Sequence, residues 1–132
     1  MSTLNKIKTK LERYPDLSYK VENNGIIISP CLESGFSVWL KISEEKFTVG
    51  FDGWYEDFNN EEEALNCFSF GLSDECRLKV VKHGNTDCSW IVESKKDGQW
   101  NKESETGLIF KPFWKRKSIE YRQNKLIVNS NS

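Results

Sequence analysis

The 132-residue sequence is short of the side chains that most enzyme chemistry uses. It has one histidine, His83, in the run KHGNTD. Nucleophilic catalysis by serine or cysteine asks for a histidine that touches the nucleophile and is itself held by a carboxylate. Asp87 is near enough in sequence to orient His83, but a hairpin tip is a poor place to fix reacting groups. His83 therefore reads as an exposed turn residue. The four cysteines, Cys31, Cys67, Cys76 and Cys88, contain no C-x-x-C pair. Cys76, His83 and Cys88 match no common zinc-ligand spacing. With no export signal in the sequence, reduced thiols are expected rather than a disulfide framework. Cys67, Cys76 and Cys88 fall in phase with apolar neighbours and read as small core hydrophobes, and Cys31 as an exposed loop thiol.

Other absences narrow the field further. Gly50-Phe51-Asp52-Gly53 lacks both phosphate-loop patterns, so neither nucleotide hydrolysis nor dinucleotide binding is expected. No apolar run approaches the roughly 18 residues of a membrane-spanning helix. The N-terminal run MSTLNKIKTKLERYPDL mixes lysines with its apolar residues and does not read as a secretory signal. The formal net charge is −1, so no global field draws the chain to DNA or to an anionic membrane. These features predict a cytoplasmic protein with no cofactor, no metal and no assigned catalytic residue. In general character the sequence resembles small single-domain proteins of bacterial mobile elements, a likeness of style that transfers no functional residue.

What the chain does have is aromatic mass: five Trp and eight Phe, with aromatics at 13% of the residues. Aromatic side chains bury large areas, so a few can carry the core of a small domain. One domain over residues 1–128 is expected, with 129–132 as a frayed tail. Leu4, Ile7, Leu11 and Tyr14 share one helical face behind a Ser2 or Thr3 cap, and Pro15 ends that helix. The period then changes to two. Tyr19 and Val21, Ile26 to Ile28, Phe36 to Ile42 and Phe47 to Phe51 read as strands. Asn60 and Glu63 have capping-box spacing, and Ala64, Leu65, Phe68 and Leu72 form the stripe of a second helix. Strands follow at Cys76 to Val80 and Cys88 to Val92. Asp97-Gly98 is a hairpin turn leading to a short strand at Gln99-Trp100. Ser104 to Gly107 reads as a turn, and Leu108 to Phe110 and Ile119 to Tyr121 as the last strands. The predicted class is α+β: a single curved, mainly antiparallel sheet of about six to eight strands with two helices on one face. The helix-then-strands order occurs twice, which common hairpin grammar explains without a duplication.

Two stretches stand out. GWYEDFNNEEE, from Gly53 to Glu63, mixes aromatics with carboxylates. The three glutamates suit the first turn of a helix, where they interact favourably with its dipole. Trp54, Tyr55, Glu56 and Asp57 are less easily absorbed. Neighbours on an extended segment face opposite ways, so at least one of the two aromatics should be exposed. The second stretch is KPFWKRK. Lys111, Phe113, Trp114, Lys115 and Arg116 interleave rings with cations, a pattern suited to single-stranded nucleic acid. It is equally the composition of a polar turn guarding a sheet edge.

Charge is also segregated. From Glu44 to Glu63 eight acids accompany Lys46 alone, and from Lys111 to Lys125 six bases accompany Glu120 alone. If the two segments lie on different faces, the molecule is bipolar, which guides protein association. The sequence thus favours a non-enzymatic domain that binds a protein partner or itself, with a homodimer as one form, through Trp54, Tyr55, Glu56 and Asp57. A small-molecule binder or enzyme with a pocket under the sheet, lined by Trp39, Trp90 or Trp100, is the second reading. A single-stranded nucleic-acid binder using the Lys111–Lys117 stretch is the third, and the net charge of −1 weighs against it.

Overall fold

The computed structural model describes residues 2–30, 33–44 and 46–125. The chain opens with α1 (Thr3–Leu11), where Ser2 Oγ accepts the Asn5 backbone N–H at 3.2 Å and Ile7 and Leu11 face the core. Five strands follow: β1 (Tyr19–Glu22), β2 (Gly25–Ile28), β3 (Val38–Ser43), β4 (Lys46–Phe51) and β5 (Trp54–Phe58). Each pairs with the next, giving an antiparallel meander in the order β1-β2-β3-β4-β5. The alternation seen in the sequence sets which side chains turn inward. Ile26, Ile28, Val38, Leu40, Val49 and Phe51 are buried.

α2 (Glu61–Gly71) then leaves the end of β5. Asn60 is its N-cap, with Oδ1 accepting the Glu63 N–H at 3.1 Å, and its first turn holds Glu61, Glu62 and Glu63. These glutamates therefore sit where the helix dipole favours negative charge. Ala64 and Phe68 are buried against the meander.

β6 (Cys76–His83), β7 (Thr86–Lys96), β8 (Gln99–Gly107) and β9 (Lys117–Arg122) complete the chain. They form a second antiparallel sheet, in the order β8-β7-β6-β9. The expected single curved sheet is thus two sheets, of five and four strands. The reason is α2. A helix in place of a hairpin after β5 carries the chain across the core, so β6 begins new pairing instead of extending the meander. Leu78, Val80 and Val92 join the same hydrophobic cluster as the first sheet, which means both sheets share one core.

Two further expectations change. Ser104 to Gly107 is not a turn but the end of β8, and Leu108 to Phe110 is not a strand. The expected frayed tail and the expected exposed thiol of Cys31 lie outside the described residues.

The β4–β5 turn locks the sheets together. Asp52 adopts a positive φ of 50°, which an Asp-Gly step accommodates. Its Oδ1 accepts both the backbone N–H and the hydroxyl of Ser37, each at 2.9 Å. Its Oδ2 meets Arg122 of β9 at 2.7 Å. Arg122 is 15% exposed and also pairs with Asp87 of β7 at 3.1 Å and with Glu120. Burial alone disfavours the guanidinium charge, but the Asp52, Glu120 and Asp87 carboxylates outweigh it and push the Arg122 pKa up. Beside this node Phe51 stacks on Trp54 at 4.7 Å, and Trp54 Nε1 donates to Ser104 Oγ of β8 at 2.9 Å. A β-carbon on Gly53 would lie 2.4 Å from the Trp90 ring, so the sheets meet at this turn with no room to spare.

Two expectations follow. Arg122→Ala strands the half-buried carboxylates of Asp52 and Asp87, and should lower unfolding stability by about 2–3 kcal/mol, whereas exposed Arg116→Ala should change it by under about 0.5 kcal/mol. The comparison reads as a shift in urea midpoint at unchanged slope. Gly53→Ala should cost about 1–3 kcal/mol through forced displacement of the Trp90 ring. Unaltered melting of that variant would mean the junction is loose.

Candidate functional site

The first predicted group divides on folding. Trp54 is 3% exposed and belongs to the core. Tyr55, its neighbour on β5, points the other way and is 55% exposed. Glu56 is exposed as well. Asp57 is engaged laterally, accepting the Thr48 hydroxyl at 2.6 Å and pairing with Lys46 at 2.9 Å. The Thr48 hydrogen bond, followed by Lys46, holds its carboxyl below the usual value. Of the four, Tyr55 and Glu56 are therefore the side chains best placed to meet a partner.

The second predicted group lies in the connection from β8 to β9. β8 ends at Gly107, opposite Ser89 of β7, and β9 starts at Lys117, opposite His83 of β6. The chain must therefore cross the end of the β6–β7 hairpin, a span of three strand spacings or roughly 14 Å. Nine residues, Leu108 to Arg116, make this crossing. They could reach about 30 Å if extended, so the segment has length to spare and projects. Its side chains are the most solvated apolar groups described: Ile109 is 88% exposed, Phe110 90%, Phe113 75% and Trp114 72%.

The backbone of this connection is tied at both ends. Leu108 N–H donates to Cys88 O at 2.8 Å, and Gly84 N–H donates to Arg116 O at 2.8 Å. His83 Nδ1 lies 3.3 Å from Lys115 O. Within the loop, Phe113 N–H donates to Lys111 O at 2.8 Å and Lys115 N–H to Pro112 O at 3.0 Å. The Phe113 and Trp114 rings meet edge to face, with centroids 5.4 Å apart at 82°.

The two stretches, separate in sequence, converge. An open cleft of ≈ 470 Å³ is lined by Gly53 and Tyr55, by Trp90 and Thr106, and by Leu108, Ile109 and Phe110. The indole Nε1 of Trp90 is buried with no hydrogen-bond partner among the described residues. Tyr55, Ile109 and Phe110 thus border one surface, which continues along the chain to Phe113 and Trp114. Lys111, Lys115, Arg116 and Lys117 lie in or next to the same segment of chain, all exposed. Among the described residues none of these four forms an ion pair. By contrast Arg122, from the same basic segment, joins Asp52 of the acidic one, so the two segments are not confined to opposite faces.

Ile109 and Phe110 are the site residues that sequence reasoning misplaced, since an apolar triplet reads as a strand. The signal against a strand was Pro112, two residues beyond Phe110.

Elsewhere the geometry disfavours the chemistry weighed above. Cys76 and His83 stand at opposite ends of β6, roughly 23 Å apart, too far to share a metal ion. Asp87 binds Arg122 and approaches Lys82 rather than His83. Trp39 donates to Asp52 O at 3.2 Å, and Trp100 stacks on the Arg77 guanidinium at 4.4 Å. Burial, with the Glu56 charge behind it, pushes the Cys67 thiol up to about 12, and burial pushes Cys76 up as well. A groove of ≈ 390 Å³ between α1 and α2 is floored by Ile7, Leu11, Leu65, Phe68 and Leu72 and rimmed by Lys6, Lys10 and Arg13. Among the described residues no helix is long and apolar enough to cross a membrane.

No family model matches the sequence, and neither a curated protein nor a solved structure matches the chain.

The raised thiol pKa values give a direct expectation. At pH 8 under native conditions Cys67 and Cys76 are held protonated, with Cys67 half-buried and Cys76 buried, and thiolate is the form that reacts. Iodoacetamide, followed by peptide mass mapping, should label both slowly in the folded protein and rapidly in urea. Rapid native labelling of Cys67 would show an activated thiol.

Proposed function

We propose that this protein is a non-enzymatic binding module that acts through protein contact, and that its contact surface is the β8–β9 connection together with Tyr55. The observation that carries this reading is the solvation of Ile109, Phe110, Phe113 and Trp114 on a backbone anchored at both ends. Exposed apolar side chains concentrated on one segment in this way favour an interaction site. Aromatic residues and arginine are also the side chains most often found at the energetic centres of protein interfaces. The surface differs from the one favoured by sequence alone. Trp54 has its ring in the core, Glu56 borders a separate recess with Cys67 and Phe70, Asp57 is occupied by Lys46 and Thr48, and Tyr55 remains as the shared member.

The second reading, a single-stranded nucleic-acid binder, has the same loop in its favour but a less suitable ring geometry. Base stacking uses open aromatic faces, and Phe113 meets Trp114 edge to face. Ile109 adds apolar area but no stacking platform.

A photo-crosslinking amino acid placed at position 110 or 114 should capture a defined protein adduct in cells of the native host. The same group at Gln99, at the far end of β8, should not. Adducts of equal yield at all three positions, or none at 110 and 114, would overturn the proposed surface.

A further inference from the structure

We infer that the partner of this surface presents an acidic rim around an apolar centre. The inference rests on the proposed function above and narrows the partner class. From Gly107 to Ser118 the sequence has no acidic residue and four cations, Lys111, Lys115, Arg116 and Lys117. The structure leaves those cations solvated, whereas several basic side chains of the same sheet are matched internally. Arg77 pairs with Glu93 at 2.6 Å, Lys102 with Glu105 at 2.7 Å, and Arg122 with Asp52 at 2.7 Å. Uncompensated positive charge is thus gathered beside the apolar patch, on a chain whose net charge is only −1.

The layout fits what protein interfaces require. The desolvated centre of an interface is depleted in charge and rich in aromatics, and the rim is polar. Here Ile109, Phe110, Phe113 and Trp114 supply the centre. The cations are interspersed with it along the chain, where complementary charge raises the association rate and excludes partners of the wrong sign. The cleft between Tyr55 and Phe110 offers a recess for an inserted apolar side chain. Tying the loop at Leu108 and Arg116 reduces the ordering entropy lost on binding.

The test is selection from a random peptide display library on the immobilised full chain. Selected peptides should combine Asp or Glu with aliphatic or aromatic residues. Their affinity should fall about tenfold or more when Lys111, Lys115, Arg116 and Lys117 are changed together to Gln, and comparably with Phe110→Ala. All these side chains are exposed, so the variants should keep the parent circular dichroism and melting temperature. Peptides selected without acidic enrichment, or unaffected by the Gln variant, would overturn the acidic partner while leaving a protein-binding surface intact. If no peptide depends on Phe110, the protein-contact reading itself falls. Oligo-dT and phosphatidylserine vesicles form parallel arms. Salt-sensitive binding to either, with no Phe110-dependent peptide, would replace an acidic protein by a polyanion.

Discussion

The guanidinium of Arg122 reaches from the last strand into the turn between β4 and β5. There it holds Asp52 of one sheet while also gripping Asp87 of the other. An arginine suits this place because its planar fork offers several donors in fixed directions, and it keeps its charge under all ordinary conditions. Much of the architecture passes through that contact. Asp52 fixes Ser37 at the approach to β3 and receives the indole N–H of Trp39 on its carbonyl. Next to it Phe51 and Trp54 stack, and Trp54 extends the link to β8 through Ser104. An apolar core resists separation of the sheets but does not choose their relative orientation. Directed bonds at one turn do that.

The local elements were largely legible from residue order, because they depend on neighbours. The Ser2 and Asn60 caps, the alternation of β3 and β4, and the apolar stripe of α2 all follow from spacing alone. The division into two sheets was not legible. It depends on whether β6 pairs with an edge of the meander, and nothing within β6 specifies its partner. The Asp52-Gly53 step was a readable signal of the same kind as Asp97-Gly98, and it announces β5 as a full strand rather than a helix entry.

The proposed contact surface was half legible. Lys111, Phe113, Trp114, Lys115 and Arg116 draw notice by composition, and so do Trp54 and Tyr55. Which member of the Trp54–Tyr55 pair turns outward depends on the phase of β5, and that phase is set by its register against β4. The adjacency of Tyr55 to Ile109 and Phe110 arises only when the second sheet docks on the β4–β5 turn. Arg122 shows the converse. In sequence it is one more base in a basic segment, and its removal from the contact surface becomes visible only through its three carboxylate partners.

The crossing from β8 to β9 spans far less distance than its chain allows, and its surplus residues contribute little to the interior. Thermodynamic integrity and the proposed recognition are consequently housed in separate compartments of the molecule. Substitutions among the exposed side chains from Ile109 to Trp114 can alter this surface without eroding the fold, so this is the segment whose sequence has freedom to drift.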